Sequence, residues 1–425
     1  MNSKRSQELY EKSSTLLPGG VSSPVRAFKP YPRFIKYGKG SRIYDVDDNE
    51  YIDYCMAFGP LILGHANNAV AEAVSKQVFN GTIFGAPSEL EIDFAELICK
   101  HFPSIEMLRP VSTGTEATMH AIRLARGYTG RKKIIKMEGG FHGAHDTVLV
   151  KAGSGALTHS VPNSAGIPEE STKNTILVPF NDLNAIEEAF KANPGEIAAL
   201  ITEPVMGNTG PILPKDGYLQ GLRELTTAND ALLIFDEVIT GFRLSLGGAQ
   251  KYFAVQPDIT TLGKIVGGGL PIGVFGASSE IMSSISPSGP VYQAGTFAGN
   301  PLSMCAGITT IKSLEKINYD DLNSLGELMR TSLGKVAQEL KIPHQVQGIG
   351  SLFQMFLTAK PVENYADALT CDSAAFMKLF HGLLDEGIYI PPSQYETSFV
   401  STAHTSADVE KTAEAFAKVM SEVLM

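Results

Sequence analysis

Short apolar runs separated by amphipathic segments dominate the middle of the chain. Ile134-Ile135, Thr175-Ile176-Leu177-Val178, Ala199-Leu200-Ile201-Thr202 and Leu232 to Phe235 alternate with helical patterns such as Leu183 to Lys191 and Leu219 to Ala228. A run with no polar residue at every second place belongs to a strand covered on both faces, and the intervening helices supply the cover. The spacing therefore predicts an α/β fold, a doubly wound, mostly parallel sheet. From Asp320 onward longer helical segments enclose short strands such as Gly350 to Phe356, which predicts a smaller α+β lobe. The expected division is an arm over residues 1–60 that joins this lobe, a large domain over 61–319 and a C-terminal domain over 320–425. With 425 residues, 43% of them hydrophobic, the chain can bury cores of that size.

Charge narrows the function classes. Forty-five acids against 35 bases give a net charge of −10. No basic run offers a surface to nucleic acid or anionic membrane. No stretch approaches the ~18 apolar residues of a membrane-spanning helix. Met1 to Ser6 is polar and charged, without the apolar region of a signal peptide. Cys55, Cys99, Cys305 and Cys371 are scattered and lack metal spacing, so they read as reduced core thiols of a cytoplasmic protein.

In an open parallel sheet, ligands bind beyond the carboxyl ends of the strands. Asp236-Glu237 stands at such an end, after Leu232 to Phe235. A carboxylate there can hold a pyridine nitrogen protonated, or simply cap a following helix. Lys264 follows Thr261-Leu262-Gly263 and precedes Gly267-Gly268-Gly269, whose backbone can bend tightly. A lysine so placed can be a Schiff-base nucleophile if its amine loses its proton below the ordinary value of about 10.4. Thr113 and Glu116 have capping-box spacing at the start of a helical segment, and Gly114 permits close approach of a ligand. The unspent N–H groups of such a helix start make an anion site, although most capping boxes only start helices. No Walker-type or G-x-G-x-x-G pattern indicates a nucleotide. His142 and His145 lack nearby carboxylates beyond Asp146 and do not read as a metal pair. His65 and His404 read as structural.

The chain order of phosphate cradle, Phe141-His142-Gly143, Asp236 and Lys264 resembles the fold type I, class III pyridoxal-phosphate enzymes, and within them the aminomutase branch. The resemblance runs along nearly the whole chain. It is carried by Pro18-Gly19-Gly20-Val21-Ser22-Ser23-Pro24-Val25-Arg26, Gly59-Pro60-Leu61-Ile62-Leu63-Gly64-His65, Ala125 to Gly130, Lys151 to Ala156, Gly263 to Pro271 and Pro392-Ser393-Gln394. It implies intramolecular amino transfer from C2 to C1 of glutamate 1-semialdehyde, giving 5-aminolevulinate for tetrapyrrole synthesis. Pyridoxal 5′-phosphate and pyridoxamine 5′-phosphate are the implied cofactor forms. The implied assembly is a homodimer with active sites near the subunit interface.

The resemblance also implies residue roles. Lys264 forms the Schiff base and Asp236 faces the ring nitrogen. Phe141 and Val238 sandwich the ring, with His142 beside it. Asn208 bonds the phenolic oxygen, and Thr113, Gly114, Thr115 and Thr296 hold phosphate, the last in the partner subunit. Ser23, Arg26, Phe58, Ser154 and Glu396 belong to the substrate pocket, and Ala152 to Gly166 form a gating loop. Taken alone, Glu396 reads as a solvated loop charge and Thr296 as a turn residue.

Three features separate this chain from ordinary class III transaminases. No arginine follows Arg330 to clamp an α-carboxylate, Ile239 stands where many of those enzymes carry Gln, and Ser23-Pro24-Val25-Arg26 is present. Two features depart from the aminomutase pattern. Phe141 replaces Tyr and keeps only its stacking face, as transaminases do, and Phe58 stands where Trp or Tyr is usual.

Overall fold

The computed structural model describes residues 1–150 and 164–424. Its strands are β1 (Ile35–Lys39), β2 (Arg42–Asp45), β3 (Glu50–Asp53), β4 (Met107–Val111), β5 (Lys133–Met137), β6 (Thr175–Val178), β7 (Ile197–Thr202), β8 (Leu232–Asp236), β9 (Ile259–Gly263), β10 (Gly273–Ala277), β11 (Gln345–Gln347), β12 (Leu352–Phe356), β13 (Ile388–Tyr389) and β14 (Ser398–Phe399).

Seven of them form the central sheet, in the order β4-β10-β9-β8-β7-β5-β6. All neighbours are parallel except at β10, which runs antiparallel to both β4 and β9. The apolar runs split residue by residue between two cores. Ile134, Ile201 and Ile234 join the cluster under the helix Gly114–Thr129, whereas Ile135, Leu200, Leu233 and Phe235 join the one under Leu183–Ala192 and Tyr218–Ala228. This two-sided burial is why the strands lack polar alternation, since successive side chains point to opposite faces. Each fully buried Leu or Ile here contributes roughly 1.5–3 kcal/mol relative to exposure.

β10 has no counterpart in the sequence reading. Its glycines are demanded by neighbours: a Cβ on Gly273 would lie 2.0 Å from the Thr113 carbonyl oxygen. Pro110, which cannot donate to a ladder, sits in β4 at the sheet edge.

Two small sheets lie outside this frame. β1, β2 and β3 form an antiparallel meander, and β13 adds to β3 in parallel, Ile388 opposite Ile52. The N-terminal arm and the C-terminal segment thus share a sheet. β11, β12 and β14 form the third, packed with the helices Tyr319–Glu339, Ser373–Asp385 and Ser406–Val423. Among the four thiols, Cys55 and Cys371 are buried, but Cys99 and Cys305 are half-buried on their helices and are not core residues.

Candidate active site

β4, β5, β7, β8 and β9 run the same way, so the residues that follow them gather at one edge of the sheet. There they line a cavity of about 440 Å³, within the roughly 300–1,000 Å³ of small-molecule sites. The cavity brings together nine expected residues: Thr113, Gly114, Thr115, Phe141, His142, Asn208, Asp236, Val238 and Lys264.

The cradle comes first in the chain. Thr113 is the N-cap of Gly114–Thr129, its Oγ1 accepting the Glu116 N–H at 3.1 Å. The Glu116 carboxylate reaches back to the Ser112 N–H at 2.7 Å, one residue beyond the N-cap. The first-turn N–H groups of Gly114 and Thr115 have no helical carbonyl to bond. Gly143, with φ of 91°, packs where a Cβ would lie 2.6 Å from the Thr115 Cα. Only glycine fits that approach without strain. Gly114 is less tightly placed: the Val238 methyl carbons would lie 3.3 Å from an added Cβ.

Three donors converge on Asp236 at the end of β8. The Thr261 hydroxyl and the Val238 N–H donate to Oδ1 at 3.1 Å each, and His142 Nδ1 lies 2.8 Å from Oδ2. Burial lowers the His142 pKa against the opposing pull of Asp236. A neutral imidazole then donates from Nδ1, the tautomer that the facing carboxylate assigns. Asp236 is thus a held carboxylate at the cavity wall.

Lys264 follows β9 with φ of 49°, an uncommon conformation for a non-glycine residue. Its Nζ donates to the Phe58 carbonyl at 2.8 Å. Burial lowers its pKa; Glu396, Glu203 and Asp236 pull it back up, and Arg243 lowers it further. The Phe58 carbonyl belongs to a left-handed turn in which Met56, Ala57, Phe58 and Gly59 all have positive φ, at 44°, 56°, 64° and 117°. Arg243 donates to the Gly59 carbonyl and to the Ser351 hydroxyl, and lies over the Phe399 ring.

The remaining expected residues lie elsewhere. Phe58 meets Lys264 through its carbonyl. Glu396 is buried, 7% exposed, and near enough to act on Lys264. Its reading as a solvated charge is therefore corrected. Arg26 is exposed in the short turn Pro24–Arg26, away from the cavity wall with Ser23; its backbone N–H donates to the Ser23 carbonyl at 3.1 Å, and its guanidinium makes no hydrogen bond to a described residue. Thr296 is exposed in the loop before the helix Pro301–Leu314. Ser154 and most of the loop Ala152 to Gly166 lie outside the described residues. His65 bonds Asp53 at 2.7 Å and His404 bonds Ser401 at 2.8 Å, both away from the cavity.

Sequence reasoning missed Glu203 and Arg243. Glu203 lines the cavity, and its Oε2 accepts from the Gly207 N–H and from the Asn208 amide, each at 2.9 Å. The signal was present: Glu203 ends the β7 run as Asp236 ends the β8 run. Arg243 gave none, because a buried cation without a carboxylate partner has no sequence signature.

These groups suit pyridoxal phosphate: an anion cradle for the phosphate, a held carboxylate for the ring nitrogen, an amide for the phenolic oxygen and a depressed amine for the aldehyde.

The family model described as aminotransferase class-III matches residues 25–420. A protein of Archaeoglobus fulgidus named glutamate-1-semialdehyde 2,1-aminomutase is 57% identical over 416 residues, covering 98% of this chain and 99% of its own. An omega-transaminase from Sphaerobacter thermophilus superposes with a TM-score of 0.93 at 35% identity, covering 99% of this chain and 98% of that one. A glutamate-1-semialdehyde-aminomutase variant from Pseudomonas aeruginosa PAO1, in complex with PMP, superposes with a TM-score of 0.88 at 26% identity, covering 99% and 95%.

Proposed function

Because the chain belongs to the class-III aminotransferase family, we propose that it is a pyridoxal-phosphate-dependent isomerase that converts glutamate 1-semialdehyde to 5-aminolevulinate for tetrapyrrole synthesis. The observation that carries this reading is the meeting of Lys264, Asp236 and the helix start at Thr113 in one cavity, in a chain 57% identical to a named aminomutase. When bound, the cofactor supplies the amino group that enters C1, takes up the one that leaves C2, and withdraws electrons from the reacting carbons.

The chain's residues do the rest. Thr113, Gly114 and Thr115 hold the phosphate at the helix start. Phe141 and Val238 bracket the ring, Asp236 faces its nitrogen and Asn208 its phenolic oxygen. His142, donating to Asp236, fixes the carboxylate's orientation. The Lys264 amine, depressed by burial, shuttles protons between the cofactor and the substrate carbons C1 and C2. Ser23 and Arg26 receive the substrate carboxylate, with Phe58, Ser154 and Glu396 around the chain of the substrate. The enzyme works in the cytoplasm as a homodimer in which Thr296 reaches the partner's phosphate. Exposed apolar side chains support a partner: Phe79 is 92%, Tyr292 69% and Phe297 60% exposed. Sedimentation velocity would read that dimer directly, and a monomer at working concentration would remove it.

Phe141, the residue that transaminases carry, favours a second reading as an intermolecular aminotransferase. Product identification with glutamate 1-semialdehyde separates the two. A mutase forms 5-aminolevulinate with no added amino donor or oxo-acid acceptor; a transaminase needs one of them.

A further inference from the structure

Glu203 has two carboxyl oxygens in different situations. Oε2 is saturated, accepting the Gly207 N–H and the Asn208 amide. Oε1 is enclosed and has no hydrogen-bond partner among the described residues. The side chain is buried, 3% exposed for the whole residue, yet it lines the cavity beside Asn208 and Ile239. Gly207 is wedged between Ile239 and Glu203: a Cβ there would lie 2.5 Å from Ile239 Cδ1 and 3.4 Å from Glu203 Oε2. Ile239 offers no donor on this wall. A buried carboxyl oxygen without a donor is costly as an anion, and its protonated form needs an acceptor that the described residues do not provide.

We infer that Glu203 is a cofactor-binding residue that works as a neutral acid, donating from Oε1 to the cofactor's phenolic oxygen while Oε2 fixes the Asn208 amide for the same atom. The inference rests on the pyridoxal-phosphate reading above and deepens it. Asn208 has two N–H groups. With one spent on Oε2, the other is directed by the plane of the amide, so Glu203 both donates and aims its neighbour. A phenolate would then have two donors where Ile239 supplies none. Burial first, and then the charge of Asp236, push the Glu203 pKa up to about 8, with the Gly207 and Asn208 bonds and Lys264 opposing. The charged groups facing it are Asp236 after β8, Lys264 after β9 and Lys136 on β5. The last is itself pushed down to about 7 by burial, against the pull of Glu203. A raised pKa means that the donor is present below about 8 and is lost as pH rises through that value.

Equilibrium binding of pyridoxal phosphate to full-length wild type, Glu203→Gln and Glu203→Leu, followed by fluorescence from about pH 6 to about pH 9.5, tests this. Gln mimics the neutral acid, since its amide donates where Oε1–H would and its oxygen accepts where Oε2 does. Titration of the phosphate is common to wild type and Glu203→Gln and cancels in the ratio of their dissociation constants, and Lys264 titrates alike in the two while Glu203 is neutral. That ratio should stay near one below about pH 7 and rise up to tenfold per pH unit above about 8. Glu203→Leu should bind about tenfold or more weakly than Glu203→Gln at every pH. A ratio independent of pH, or a Gln variant as weak as the Leu variant at neutral pH, would overturn the inference. If the Leu variant does not fold, the Gln ratio decides alone. If wild type binds no pyridoxal phosphate, the functional reading fails too; binding with a flat ratio removes only the role of Glu203.

Discussion

Lys264 and Asp236 carry the chemistry, and their surroundings give each a separable signature. The amine reacts only without its proton, so capture of pyridoxal phosphate should speed up as pH rises. It should level off below the ordinary lysine value of about 10.4, because burial lowers the Lys264 pKa. Borohydride should fix the cofactor to Lys264, and Lys264→Ala should lose turnover altogether; full activity in that variant would end the assignment. Asp236→Asn keeps the shape but removes the anion beside the ring, so cofactor should still bind while kcat falls by roughly a hundredfold or more. Arg26 presents the opposite case, an exposed guanidinium outside the cavity wall with no described partner. If it receives the substrate carboxylate, Arg26→Lys should raise KM about tenfold with kcat little changed, since a point charge cannot reproduce the two-donor fork. An unchanged KM would transfer that role to another group.

Among the elements, the turn at Met56 to Gly59 is the one whose conformation most needs support. Four successive positive φ values cost on the order of 1 kcal/mol or more for each non-glycine residue. The turn persists because Lys264 and Arg243 take its last two carbonyls. Arg243 is 0% exposed, and burial lowers its pKa to about 9. Arg243→Met should lower stability by about 2 kcal/mol or more, leaving the Gly59 carbonyl without its donor. It should also move the pH profile of cofactor capture upward, because the Arg243 charge helps depress Lys264. A lower Tm with an unmoved profile would limit Arg243 to a structural role.

Legibility followed the same physics. The strands ending at Asp236 and Thr202 were readable because both faces are buried. β10 was not, since its Gly273 and Gly276 answer to contacts from Thr113 and Ile105 that lie far away in sequence. Asp236 and Lys264 could be read from strand end and glycine run; Glu203 sat in the same pattern and was passed over.

At the scale of the whole molecule, the sheet's carboxyl edge gathers a phosphate cradle, an acid and an amine from the ends of β4, β8 and β9, and the arm shares a sheet with the C-terminal segment. The architecture alone is common to transaminase and mutase, as the superposition on an omega-transaminase shows. What separates them is the fate of the amino group. The most direct measurement is turnover of glutamate 1-semialdehyde by the purified, cofactor-loaded protein with no amino donor and no oxo-acid acceptor. Sustained formation of 5-aminolevulinate, far beyond one equivalent per active site, is the predicted result. Reaction that stops at one equivalent and resumes only when an amino donor or an oxo acid is added would contradict the account.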